Sequence, residues 1–237
     1  KWDNVLSWDF KKPEVKWFEG AKLNITENCI DRHLLTKGNK TAILFEPNNP
    51  NEAAQHITYN KLHERVCKFA NVLKDNGITK GDRVCIYLPM IPELAVSVLA
   101  CARIGAIHSV VFAGFSSTAL STRINDSDCK MVITSDGSYR GAKTIDLKSI
   151  VDDALEEAPC VDTVLVAKRI NTEINMKEGR RDKGMGTRLV EPDIVFEDQY
   201  HYIDRGESFR FKADVEHQYL NDSLISSEFS INIHYKK

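Results

Sequence analysis

The amino-acid sequence predicts an α/β fold with a doubly wound, mostly parallel sheet that carries helices on both faces. Two observations support this fold class. Short apolar runs alternate with longer segments whose apolar residues recur at helical spacing, and Gly, Pro or a capping residue marks most changes of period. Because each strand must return through a helical crossover, neighbouring strands are expected to run parallel.

The alternation begins with a helix. Leu62, Val66, Phe69 and Leu73 share one helical face, and Gly77 is placed to end the helix. Strands and helices then follow in turn. The predicted strands are 83–88, 106–112, 131–134 and 161–167, and the predicted helices between them are 92–104, 117–125 and 147–158.

Changes in composition predict three parts of the chain. Turn-forming residues at 46–51 separate an amino-terminal segment, residues 1–50, from the α/β region, residues 51–180. Residues 181–237 form a divergent tail without a sustained period of two or 3.6. Short strands at 194–196 and 209–211 are the only elements that this tail suggests.

Composition excludes several classes of protein. A formal net charge of -2 supplies no field that would attract nucleic acid or an anionic membrane. The longest strongly apolar stretch is shorter than the ~20 residues that span a bilayer. The six cysteines form no Cys-x-x-Cys pair, which favours reduced thiols and a cytoplasmic location. We therefore expect small-molecule ligands, with no nucleic-acid or membrane partner.

Common catalytic motifs are not matched. The sequence contains no phosphate-binding P-loop, and its histidines lack the helical spacing of a zinc protease. Ser116 is not followed two residues later by the glycine of a nucleophile elbow, so it is expected to cap a helix. The sequence therefore supplies no candidate catalytic residue and no metal ligand set.

One loop after the third predicted strand is a candidate phosphate site. Arg140 and Lys143 place two cations close together, and Gly141 allows backbone N–H groups to approach a ligand. Ligands of α/β sheets lie beyond the carboxyl ends of the strands, where this loop would stand. Composition alone favours a solvated turn, because Arg and Lys are mostly exposed.

Several motifs resemble the amino-terminal part of AMP-forming acetyl-CoA synthetases, which are adenylate-forming enzymes. The resemblance covers about residues 1–180 and keeps the order and spacing of the family's motifs. The matching segments are KWFEGAKLN at 16–24, NCIDRH at 28–33, KGDRV at 80–84, YLPMIPE at 87–93, ACARIGA at 100–106 and HSVVFAGFS at 108–116.

The resemblance implies a ligase that activates acetate with ATP and Mg²⁺ and transfers the acetyl group to coenzyme A. It also implies two coenzyme A contacts. Arg140, Gly141, Ala142 and Lys143 correspond to the family's Arg-Gly-Gly-Arg, and Ala113, Gly114 and Phe115 correspond to its Gly-Gly-Phe. Ala113, Ala142 and Lys143 depart from the family pattern, which predicts weaker affinity for coenzyme A.

The sequence lacks the family's Thr-Ser-Gly-Ser-Thr-Gly-Lys phosphate loop and its carboxy-terminal domain. The resemblance therefore predicts an incomplete sheet, a frame-shifted or disordered tail, and a chain that is inactive by itself. Two alternatives remain open. The chain is a non-catalytic coenzyme A or nucleotide-binding module, or the ligase uses propionate or acetoacetate instead of acetate.

Overall fold

A computed structural model of the chain describes residues 2–141, 143–176 and 181–185. Ala142 and the residues after 185 lie outside these ranges, as do the strands predicted at 194–196 and 209–211. Within the described part of the chain, no helix has the length and apolar character needed to cross a bilayer.

In the described ranges, five parallel strands form the central sheet. They are β5 (Arg83–Ile86), β6 (Ile107–Val110), β7 (Met131–Ser135), β10 (Thr163–Ala167) and β11 (Asp182–Gly184). Their order across the sheet is β11-β10-β7-β5-β6. The first four along the chain confirm the predicted strands; β5, β6 and β10 are shorter than predicted, and β7 is one residue longer. The fifth was not predicted, because its three residues carry no strand pattern.

Helices cover both faces of the sheet, as predicted for a doubly wound fold. One buried cluster joins one face to α2 (Tyr59–Asp75) and α3 (Pro92–Ile104). The other cluster joins the opposite face to α4 (Ser117–Ser127) and α5 (Leu147–Glu156). Gly105 ends α3 with φ of 76°, a left-handed conformation that glycine adopts without strain.

Two hairpins and a helical segment occupy the amino-terminal part. The hairpins are β1 (Asn4–Asp9) with β2 (Glu14–Glu19) and β3 (Thr41–Phe45) with β4 (Gln55–Thr58), and a π-helical turn, Glu27–Asp31, leads into α1 (Arg32–Lys37). Leu44 of β3 pairs with His56 of β4, across the boundary expected at residue 50. The division of the chain at that residue stays a prediction.

The six cysteines all lie in the described ranges and form no disulfide bond. Cys85 and Cys101 are buried in the core, and Cys29 is exposed. Burial raises the pKa of Cys101 to about 12, so its thiol stays protonated and behaves as a small apolar group.

Candidate functional site

Both segments with predicted ligand contacts lie at the carboxyl edge of the sheet. Ile86 of β5 pairs with Val110 of β6 on one side and with Ile133 of β7 on the other, which places the ends of these strands at one level. Neighbouring strands are about 4.8 Å apart, so the chain leaves β6 and β7 roughly 10 Å apart. The sheet therefore brings both segments to a common edge.

The segment with the two cations is a β-hairpin, not the loop that the sequence predicted. Strands β8 (Ser138–Arg140) and β9 (Lys143–Ile145) pair antiparallel, with Arg140 opposite Lys143. We call residues 138–145 the cation hairpin. The three-residue strands are too short for a period of two to be visible, which explains why the sequence did not reveal them.

The tip of the cation hairpin is open to solvent. Arg140, Gly141 and Lys143 are exposed. Gly141 has φ of 60°, the left-handed conformation that two-residue hairpin loops require. Among the described residues other than its chain neighbours, none has an atom within 4 Å of the position a Cβ would take at Gly141, which leaves room for a ligand beside its backbone.

Arg169 braces the hairpin from the segment after β10, and the sequence analysis did not single it out. Its guanidinium carbon lies 5.0 Å from the ring centroid of Tyr139 in β8 and 5.6 Å from that of Phe45. Its Nη1 donates to Glu52 at 3.3 Å. The sequence does not reveal this role of Arg169, because all of its partners are distant along the chain.

The segment after β6 forms an aromatic turn, defined as Phe112–Phe115. The N–H groups of Gly114 and Phe115 donate to the carbonyl of Phe112 at 2.8 and 3.1 Å. A Cβ at Gly114 would lie 2.7 Å from the Phe112 ring, so a larger residue there would have to displace that ring. Ala113 is half-buried, whereas Gly114 is exposed.

Two side chains hold the aromatic turn. The hydroxyl of buried Tyr87 donates to the carbonyl of Phe115 at 2.7 Å. Burial raises the pKa of Tyr87, so the phenol remains a donor. Arg123 lies 4.7 Å from the centroid of the Phe115 ring, which meets the Phe112 ring edge to face at 5.9 Å. Both phenylalanines remain partly exposed and offer apolar surface to a ligand.

Ser116 is an N-cap, as the sequence predicts. Its Oγ accepts from the N–H of Ala119 at 3.3 Å at the start of α4. Within the described ranges, no group of three or more His, Cys, Asp or Glu side chains is placed to hold a metal ion. The carboxyl edge thus offers exposed cations and aromatic surface, which suit a ligand with phosphate groups and an apolar or planar part.

Residues 30–203 match the family model described as AMP-binding enzyme. The chain belongs to this family. Residues 1–29 match a second model, described as acetyl-coenzyme A synthetase N-terminus. These two matches confirm the resemblance that the sequence motifs predict.

Curated relatives of this AMP-binding chain carry names that agree with the resemblance. Acetyl-coenzyme A synthetase from Alkalilimnicola ehrlichii is 57% identical over 180 residues, or 76% of this chain and 28% of the relative. The corresponding protein from Bdellovibrio bacteriovorus is 55% identical over 181 residues, with the same coverage. The chain therefore spans about 28% of the length of these relatives.

A solved structure confirms the fold class. Acetoacetyl-CoA synthetase from Streptomyces lividans superposes with a TM-score of 0.70 at 27% sequence identity. The match covers 80% of this chain and 28% of that chain. The α/β arrangement described above is thus the fold of an adenylate-forming enzyme.

Proposed function

We propose that this chain supplies coenzyme A contacts of an acetate–CoA ligase, which makes acetyl-CoA from acetate, ATP and coenzyme A through an acetyl-adenylate. The observation that carries the proposal is the pair of exposed cations at the tip of the cation hairpin, on the sheet edge shared with the aromatic turn. Both features stand on the residues that resemble the family's coenzyme A motifs.

The chemistry of the two segments suits the nucleotide end of coenzyme A. Arg140 has a planar guanidinium that can donate two parallel hydrogen bonds to a phosphate, and Lys143 adds a point charge. Gly141 leaves its backbone open to the ligand. Phe112 and Phe115 supply apolar surface on the same edge of the sheet.

We propose acetate as the acid that the ligase activates. Relatives that are 53–57% identical to this chain are named acetyl-coenzyme A synthetase, whereas the acetoacetyl-CoA synthetase is 27% identical. Propionate and acetoacetate remain the alternative acids, because no residue of an acyl pocket is identified in the described ranges.

The 237 residues by themselves are not expected to activate acetate. The family's Ser/Thr/Gly-rich loop, which holds the ATP phosphates with their Mg²⁺, does not occur in the sequence. Stabilising the charge that develops at those phosphates is the main task of such a site. Acetate-dependent exchange of pyrophosphate into ATP should therefore be absent, and turnover by the purified chain would contradict this part of the proposal.

Calorimetric titration of coenzyme A into the chain tests the binding role. The double variant Arg140→Ala with Lys143→Ala should bind coenzyme A at least about tenfold more weakly, a loss of about 1.4 kcal/mol. Lys11→Ala with Lys12→Ala removes the same charge from exposed positions elsewhere and serves as the control. Equal losses in the two double variants would show a general charge effect and reject the proposed site.

A further inference from the structure

A buried carboxylate stands at the root of the cation hairpin. Asp136 directly follows β7 and is only 1% exposed. A buried carboxylate is costly unless hydrogen bonds compensate for its lost hydration. The partners of Asp136 therefore indicate what this residue does.

One oxygen of Asp136 connects the segment that follows β7 with the segment that follows β10. Its Oδ1 accepts from the N–H groups of Gly137 at 2.8 Å, Arg169 at 2.7 Å and Ile170 at 3.1 Å. Gly137 leads into the cation hairpin, while Arg169 and Ile170 follow β10. Because one oxygen accepts from N–H groups of both segments, it holds the start of the cation hairpin against residues 169–170.

The residues around Asp136, at the base of the cation hairpin, are closely packed. The hydroxyl of Ser135 donates to the carbonyl of Gly137 at 2.9 Å. A Cβ at Gly137 would overlap the Ile170 side chain and lie 2.7 Å from the carbonyl oxygen of Ile145, the last residue of β9. Both ends of the hairpin are therefore set by contacts around Asp136.

We propose that Asp136 is a positioning residue, which holds the cation hairpin against residues 169–170 and so fixes where Arg140 and Lys143 stand at the carboxyl edge. Its Oδ2 is buried and has no hydrogen-bond partner in the described part of the chain. The role therefore belongs to Oδ1. Asparagine keeps an acceptor oxygen in that place and is expected to substitute for aspartate.

Hydrogen–deuterium exchange of the 237-residue chain tests the positioning role directly. Asp136→Ala should speed exchange in the cation hairpin at least about tenfold while α2 keeps its protection, and Asp136→Asn should restore most of the loss. Leu62→Ala, a core truncation in α2, is the control for general destabilisation. Unchanged hairpin protection in Asp136→Ala, a uniform loss, or failure of asparagine to rescue would overturn the proposal.

The wild-type chain gives a second test that does not depend on a variant folding. If Asp136 clamps the two segments, the amides of Gly137, Arg169 and Ile170 open together. Their protection factors should agree within about threefold. Protection factors that differ by orders of magnitude among these amides would contradict a common clamp.

An effect of Asp136 on coenzyme A affinity is expected only if the proposed function is right. Titration of coenzyme A into the variants tests the positioning role and the proposed function separately. Asp136→Ala should weaken coenzyme A binding about tenfold, and Asp136→Asn less than about threefold. If the Arg140→Ala, Lys143→Ala variant binds like the wild type, the proposed function fails while the exchange experiments still judge Asp136. If that variant loses affinity and Asp136→Ala does not, the positioning role is wrong.

Discussion

Lys143 and Ala142 are the residues at which the proposed coenzyme A contact, residues 140–143, departs from the family's Arg-Gly-Gly-Arg. A lysine cannot donate the two parallel hydrogen bonds that an arginine guanidinium gives to a phosphate. A methyl group at residue 142 hinders a ligand from approaching the backbone closely. Ala142→Gly with Lys143→Arg should therefore bind coenzyme A several-fold more tightly, about 1 kcal/mol. Calorimetric titration measures this change, and unchanged affinity would show that the two departures do not matter.

Asp82 gives the fold a defined acid sensitivity. The ammonium of Lys130, 2.7 Å away, and the N–H and hydroxyl of Thr79 hold the pKa of Asp82 well below its usual value of 3.8. Because the folded-state pKa is the lower one, the carboxylate stabilises the fold above pH 3.8. This contribution is lost as the pH falls below that value towards the folded-state pKa.

The comparison with Asp82→Asn measures this effect. Near neutral pH the wild type should be the more stable protein in urea unfolding, and the difference should shrink as the pH falls below 3.8. Asp126→Asn removes one negative charge at an exposed position and serves as the control for the change in net charge. A wild-type advantage that stays constant down to about pH 2 would reject the assignment.

Some residue roles could be predicted from the sequence, and others could not. Ser116 was recognisable as a cap because the N–H that donates to it, that of Ala119, is three residues away, and Arg140 with Lys143 because they are close along the chain. The roles of Asp136 and Arg169 could not be predicted, because their partners lie in segments that are distant along the chain. Local chemistry is readable in one sequence, whereas contacts between distant segments require the fold.

Helix α4 depends on the Ser116 cap. Ser116→Ala removes the acceptor for the N–H of Ala119 and should lower the free energy of unfolding by about 1 kcal/mol. Ser116→Asp keeps an acceptor and places a negative charge at the helix amino terminus, so its stability should stay close to that of the wild type. Urea unfolding measures both variants, and an alanine variant as stable as the wild type would argue against the cap.

Strand β11 is joined to α5 by a buried ion network. Lys148 has a side chain only 1% exposed and lies 2.7 Å from Asp152 and 2.9 Å from Asp182, whose side chain is fully buried. Arg181 also contacts both carboxylates. Removing one member of such a network leaves a buried charge less well compensated.

Lys148→Ala should therefore destabilise the chain by about 3–5 kcal/mol. Lys61→Ala is the matched control, because Lys61 forms an exposed pair with Glu64 at 2.9 Å, and it should cost less than about 1 kcal/mol. Chemical unfolding of both variants gives the comparison. Equal, small losses would show that burial does not strengthen the Lys148 network.

Among the helices and strands, those that pack against the core were easier to predict from the sequence than those that are exposed. Helices α2 and α3 were predicted because their buried residues recur at helical spacing. Strands β5 and β7 were predicted because they are buried on both faces and therefore form short apolar runs. The β1–β2 hairpin is largely exposed, including Trp8 and Trp17, so it shows no such alternation. Strand β6 was predicted from an apolar run, although it is the last strand on its side of the described sheet and its Ile107 and Val110 are about half exposed.

At the level of the whole molecule, long-range hydrogen bonds join the amino-terminal segment to the α/β region. The side-chain amide of Asn24 donates to the carbonyls of Ala102 and Arg103 at the end of α3. Arg103 in turn donates to Thr26 at 3.2 Å and to Asp31 at 3.0 Å. The segments that match two family models therefore share one hydrogen-bond network.

Recognition of coenzyme A by the cation hairpin is the central claim, and one comparison tests it most directly. Coenzyme A and dephospho-coenzyme A differ only in the 3′-phosphate, so the ratio of their dissociation constants isolates recognition of that phosphate. The wild-type chain should prefer coenzyme A about tenfold, and Arg140→Ala with Lys143→Ala should bring the ratio close to one. The same ratio in both proteins, measured by calorimetry, would contradict the assignment of these cations to the coenzyme A site.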